Sequence, residues 1–261
     1  AVSAIATLAR QYFTTGFYPS GAANASDAFV PSGPLLKAMC INSAVDATSI
    51  TGVFAAQEGW GRILADNSFY FSGDARRLVI KDVRNANSGA LTTGGTGHLR
   101  FKVRSNVEPL KVTLVWHDAP ASAFAAFTPV NNLDLRVDAP SGSYLGNVLT
   151  NGESVVGGAA DTLNNVEQVI IGSPTVGIWD AATLGTNIPS GPQGYAVVIT
   201  GDVEAYVCVG DFNNDGFLDF GDFDDFVTAF EAGNASSDIT GDGFLDFTDF
   251  DAFVAAFEAG C

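Results

Sequence analysis

Six oxygen-bearing positions occur twice near the C-terminal end of this 261-residue chain. Asp211, Asn213, Asp215, Phe217, Asp219 and Asp222 stand at places one, three, five, seven, nine and twelve of a loop. Asp238, Thr240, Asp242, Phe244, Asp246 and Asp249 repeat that spacing 27 residues later. Calcium takes roughly six to eight oxygens from a loop that folds tightly around it, and this spacing supplies them. The first three residues of each set give side-chain oxygens and Phe217 or Phe244 a backbone carbonyl. Asp219 or Asp246 acts directly or through water, and Asp222 or Asp249 closes the sphere. Gly216 and Gly243 permit the sharp turn. Thr240 is a weaker donor than Asn213, so the second loop should bind less tightly. Acidic turns without a metal are the alternative for one loop alone; two loops in one register favour calcium.

Charge points the same way. The formal charge is −17, and Arg136 is the last basic side chain, so the C-terminal half carries only acids. A polyanion repels phosphate, which argues against nucleic acid, and carboxylates at ligand spacing attract hard cations. For the scattered carboxylates, a solvated surface suited to salty water is the competing reading. Of three cysteines, Cys40 sits in an apolar run and reads as a buried free thiol, whereas Cys208 and Cys261 bracket the acidic tail. A bridge between those two would suit an oxidising compartment.

No nucleophilic constellation is apparent. His117 adjoins Asp118, but neighbours on a strand point to opposite faces. His98 follows Gly94-Gly95-Thr96-Gly97, which reads as a turn rather than a phosphate cradle because no helix start or Lys-Ser/Thr follows. Ser154 lies in Gly-Glu-Ser-Val-Val-Gly, one residue too long for a nucleophile elbow.

Three kinds of element must position these groups. Apolar residues of 1–13 cover one broad helical face, and 35–44 fits a short helix opened by Pro34. Neither can bury that face alone, which predicts a core lying outside the chain and a fragment or processed product. After Gly59-Trp60-Gly61 the pattern changes to period two. Strands are expected at 78–80, 98–103, 110–116, 133–137, 167–171 and 195–200, making a sandwich or jelly roll. Each acidic loop precedes an amphipathic helix, 223–231 and 250–258, whose phenylalanines pack the two together. No apolar run approaches the ~18 residues of a membrane span.

The tail resembles a type I dockerin, a duplicated loop–helix calcium module that binds cohesin domains, and Asp at the twelfth place fits that family. The flanking Cys208 and Cys261 resemble a variant of this tail that anchors secreted proteins. Residues 1–207 are similar to the region after the catalytic serine in subtilisin-like peptidases of the alkaline-protease type with a C-terminal jelly roll. The resemblance rests on Ala1–Phe13, Pro34-Leu-Leu-Lys-Ala38, Gln57-Glu-Gly-Trp-Gly-Arg-Ile63, Leu114-Val-Trp-His-Asp-Ala-Pro120, Val130-Asn-Asn-Leu-Asp-Leu135 and Asn164-Asn-Val-Glu167, in that order. The family's Asp, His and Gly-Thr-Ser motifs would all lie upstream of Ala1. No residue here inherits a catalytic role, and peptides are substrates only for the complete parent enzyme. The resemblance also implies calcium ligation by Asp134, Asp161, Asn165 and Glu167, where turn and capping hydrogen bonds are the other reading.

The expected fold class is mixed and multidomain: remnant α/β subtilase helices (1–65), an all-β jelly-roll sandwich (66–207) and a small all-α dockerin-like EF-hand pair (208–261). The expected role is the C-terminal part of a secreted, extracellular serine endopeptidase, inactive alone and anchored through a cohesin-like or surface scaffold protein. The alternative is a non-enzymatic binding or anchoring protein that uses the sandwich and the tail for recognition.

Overall fold

A computed structural model describes residues 2–47, 58–125, 127–213 and 218–260. Its contacts divide the chain into two units, Ala1–Ala205 and Tyr206–Cys261. Among the described residues the architecture is mixed, with a β-sandwich and four α-helices.

The first unit opens with α1 (Val2–Thr14), whose Ala9, Tyr12 and Phe13 are buried at helical spacing. Helix α2 (Gly33–Asn42) starts where Ser32 caps it, its hydroxyl accepting from the Leu35 amide at 3.1 Å, with Pro34 in the first turn. The strands follow as β1 (Arg77–Val83), β2 (Thr96–Gly97), β3 (Arg100–Val103), β4 (Leu110–Val115), β5 (Asn132–Ala139) and β6 (Gly142–Thr150). Then come β7 (Glu153–Val156), β8 (Val166–Ile171), β9 (Gly177–Asn187), β10 (Tyr195–Gly201) and β11 (Val203–Ala205). One sheet has the order β1-β10-β4-β8; the other runs β11-β3-β9-β5-β6-β7, with β2 also on β9.

Between the sheets lies a core that includes Phe101, Trp116, Leu133, Trp179, Tyr195 and Val197. A second core lies under the helices, where Ala9, Phe13, Leu35 and Met39 meet Val115, Ala196 and Val198. Strand β10 serves both, with odd residues in the sandwich and even residues beneath α2, so its sequence Tyr-Ala-Val-Val-Ile-Thr-Gly is apolar on both faces. The helix faces expected to need a partner outside the chain therefore find one in the four-stranded sheet. Full burial of Phe13 contributes about 2–3 kcal/mol.

Each of the six expected segments overlaps a strand, although His98, Leu99 and Trp116 lie outside them and β1 and β5 run longer than expected. Strands β2, β6, β7, β9 and β11 were not anticipated. The glycine-rich stretch before His98 makes a turn at 93–94, but Thr96–Gly97 then pairs with β9, not with its sequence neighbour β1.

In the second unit, α3 (Phe220–Glu231) and α4 (Phe247–Ala259) each start at a capping box, formed by Asp219 with Asp222 and by Asp246 with Asp249. Their phenylalanines form the core. Phe226 stacks on Phe253 with centroids 4.0 Å apart and planes 8° from parallel. These residues are one repeat apart, as are Phe223 and Phe250, whose rings meet edge-on at 6.2 Å. Phe212 closes the cluster with its edge toward both Phe226 and Phe253.

Candidate functional site

The second acidic loop is folded by its own carboxylates. Asp238 accepts from the amides of Gly241 at 2.8 Å and Gly243 at 2.9 Å, which draws places four and six back over place one. Gly243 has φ +85°, a left-handed conformation that glycine adopts without strain. Asp249 accepts the Thr240 amide and hydroxyl, both at 3.0 Å, on one oxygen and the Asp246 amide at 3.0 Å on the other. The twelfth residue thus ties places three and nine together. Shifted back by one repeat, the pattern recurs: Asp222 accepts from the amides of Asn213 at 3.2 Å and Asp219 at 3.0 Å. Asp215, Gly216 and Phe217 lie outside the described residues.

Donated hydrogen bonds favour the ionised form of Asp246 and Asp249. The Thr240 amide, followed by that of Asp246, keeps the Asp249 carboxyl below the usual range, and the Thr248 hydroxyl and amide do the same for Asp246. Asp222 and Asp249 are fully buried and Asp211 nearly so, yet residues 206–261 contain no Lys, Arg or His. Buried carboxylates need compensation, and within this unit only amides, hydroxyls or a cation can supply it. Among the described residues, no three His, Cys, Asp or Glu side chains converge as a ready metal group. The donors are nevertheless all hard oxygens, the kind calcium takes.

In the sandwich, the structure brings together three of the four residues named from resemblance. Glu167 of β8 is fully buried, and one of its oxygens accepts the Leu135 amide at 2.6 Å. The other, Oε1, has no hydrogen-bond partner among the described residues. Burial, reinforced by Asp134 and Asp161, pushes the Glu167 carboxyl up to about 9. Gly146 makes the room: a side chain there would begin 2.2 Å from Glu167 Oε2. Asp134 accepts from Asn132 and from the Thr186 hydroxyl. Asp161 accepts from the side chains of Asn147 and Asn164 and the amides of Leu163 and Asn164. Asn165 is turned elsewhere, its side-chain oxygen accepting from Lys37 at 3.3 Å.

Among the described residues, neither histidine is hydrogen-bonded to a nucleophile. Asp118 lies past the end of β4 and accepts the amides of Ala119, Val130 and Asn131. His117 lies against Gly33, and burial, then the Lys37 charge, lowers its pKa. Ser32 lines the same cavity, but its hydroxyl donates to Asp82 at 2.5 Å and accepts the Leu35 amide. His98 Nδ1 stands 2.6 Å from Asp180 Oδ2, a pair whose members are 82 residues apart, and no local motif announced it. Ser154 accepts from the Ile170 amide at 2.9 Å. Cys40 is a buried free thiol, its pKa raised by burial. Cys208 is disulfide-bonded, and Cys261, the expected partner, lies outside the described residues.

No family model matches the chain. It is 34% identical over 199 residues to the serine protease/ABC transporter B family protein tagA of Dictyostelium discoideum, a match covering 74% of this chain and 11% of that protein. The tagB and tagD proteins of the same organism are each 27% identical, over 77% of this chain and 13% and 14% of their own lengths. The chain thus spans little more than a tenth of these relatives. Among solved structures, a Bacillus licheniformis lipase in its propeptide form aligns with 48% of this chain and 22% of its own at 14% identity, with a TM-score of 0.28. A likeness that weak carries no inference about fold or activity.

Proposed function

We propose that this chain is the C-terminal, non-catalytic part of a secreted subtilisin-like serine endopeptidase, combining a remnant of the catalytic domain, a jelly-roll sandwich and a dockerin-like calcium module. The observation that carries the reading is the 34% identity over 199 residues with a protein bearing a serine protease name. The ordered motifs between Ala1 and Glu167 support it from the sequence side. Hydrolysis is assigned to a longer protein of which this chain forms part, because among the described residues neither His98 nor His117 has a serine within a nucleophile–base arrangement. The disulfide at Cys208 suits an extracellular setting.

Calcium is assigned to Asp211–Asp222 and Asp238–Asp249. Its support is the repeated hydrogen-bond pattern and the buried twelfth-place carboxylates in a unit with no basic side chain. In the sandwich, Glu167 with its unpartnered oxygen and Asp134 are the groups suited to a further cation. When bound, the ion would neutralise these carboxylates and fix the loops that start α3 and α4. The partner is proposed to be a cohesin-like or surface scaffold protein. Phe220 and Phe247, the first residues of α3 and α4, are both largely exposed and equivalent under the repeat, which suits such a contact.

Two experiments test this reading. A serine-directed fluorophosphonate probe should leave the purified chain unlabelled and label the longer gene product, which should also hydrolyse denatured casein. If the longer product does neither, the peptidase reading fails and a non-enzymatic anchoring protein takes its place. Hydrogen exchange should also show α3 and α4 losing amide protection in chelator and regaining it with calcium. Equal protection in both conditions would remove the calcium assignment.

A further inference from the structure

Near the C-terminal end of α2, a cavity of about 190 Å³ is lined by Asn42, Asn67, Arg76, Lys111 and Thr200, with Val45 and Pro109 as apolar wall. The neutral groups are already committed to one another. The Asn42 amide donates to the carbonyls of Lys111 and Val198 and to the Thr113 hydroxyl, and its oxygen accepts the Thr200 hydroxyl at 2.7 Å. Asn67 accepts from Arg76 and donates to the Ser43 carbonyl. The two cations are not fully committed. Lys111 Nζ donates to Ala44 O at 2.6 Å and weakly to Asn42 O at 3.4 Å, and the third ammonium proton has no acceptor among the described residues. Arg76 uses one N–H on Asn67 and one on Glu108, at 2.7 Å, out of five. Among the described residues Glu108 is the one carboxylate paired with these cations, so the cavity carries a surplus positive charge.

We propose that this cavity binds a small carboxylate anion, held between the Lys111 ammonium and the Arg76 guanidinium with its short apolar tail against Val45 and Pro109. Two cations whose donors remain available, in a cavity whose neutral side chains are already hydrogen-bonded, select for an anion over a neutral ligand. A planar guanidinium matches a carboxylate in geometry, and one surplus positive charge matches a monoanion better than phosphate. Capping of the α2 carbonyls accounts for part of the Lys111 ammonium but leaves Arg76 unexplained. The two cations also affect each other: burial, then the Arg76 charge, pulls Lys111 down to about 8, a cost that a bound anion would relieve.

The test uses the full chain and the side-chain Cε–Hε NMR signals of its lysines, Lys37, Lys81, Lys102 and Lys111. Near neutral pH, butyrate should shift the Lys111 signal saturably and raise the pH at which Lys111 titrates. Butyramide, its neutral counterpart, should do neither. Arg76→Gln, with its fold checked by circular dichroism, should weaken butyrate by at least about tenfold, the size of one charge-assisted contact. Absence of a saturable Lys111 shift, an equal response to butyramide, tighter binding of phosphate, or undiminished affinity in Arg76→Gln would each overturn the proposal.

Discussion

Glu167 shows how far one carboxyl can be moved by where a strand puts it. Its strand, β8, aims it at the place where Gly146 has no side chain, away from water and toward Asp134 and Asp161. Its folded pKa, about 9, lies above the ordinary carboxylate value, so the folded state holds a proton that the unfolded chain releases. This contribution to stability is complete below the unfolded value and is lost as pH rises through the folded one. In chelator, denaturant melts should therefore show stability falling between the two, by at most about 1.4 kcal/mol per pH unit. Glu167→Gln should flatten that slope, and a slope unchanged by the substitution would refute the account. Nothing in the residues near Glu167 announced its burial. The sequence named it only through resemblance, since its neighbours Gly146 and Leu135 reach it from other strands.

Elements were legible wherever one periodicity ruled a segment. Helix α1 declared itself by its apolar stripe, and α3 and α4 by phenylalanines recurring after acidic loops. Strand β9 did not, because Ala181, Ala182 and Gly185 give no contrast between its faces, and β6 mixes glycine, serine and asparagine with its apolar residues. Both are strands because of their neighbours: β9 lies between β3 and β5, β6 between β5 and β7. Within α3, Phe226 is wholly buried and stacks on its repeat counterpart in α4. Phe226→Ala should cost about 3–5 kcal/mol, more than two short helices can spare. The expected readout is loss of amide protection along α3 and α4 with calcium present. Retained protection would show that the remaining phenylalanines suffice.

At the scale of the whole molecule, the boundary in composition was easier to read than the chemistry that needs distant residues. The basic side chains end at Arg136, and residues 206–261 form a unit held by aromatic rings among acids. By contrast, the His98–Asp180 pair and the Arg76–Lys111 cavity bring together residues from separate strands and loops, and no spacing along the chain encodes them. The Phe226–Phe253 stack has a further consequence. Each ring belongs to the helix that follows one acidic loop, so neither half of the repeat has a core of its own. If calcium orders the loops, the first ion bears most of the conformational cost for both, and the second meets a partner already in place. Titration with calcium should then give a Hill coefficient above one, dropping toward one when Phe253→Leu loosens the stack. Two independent, unequal sites would instead give a broad, shallow curve, so the steepness of the isotherm reads out whether the repeat is two devices or one.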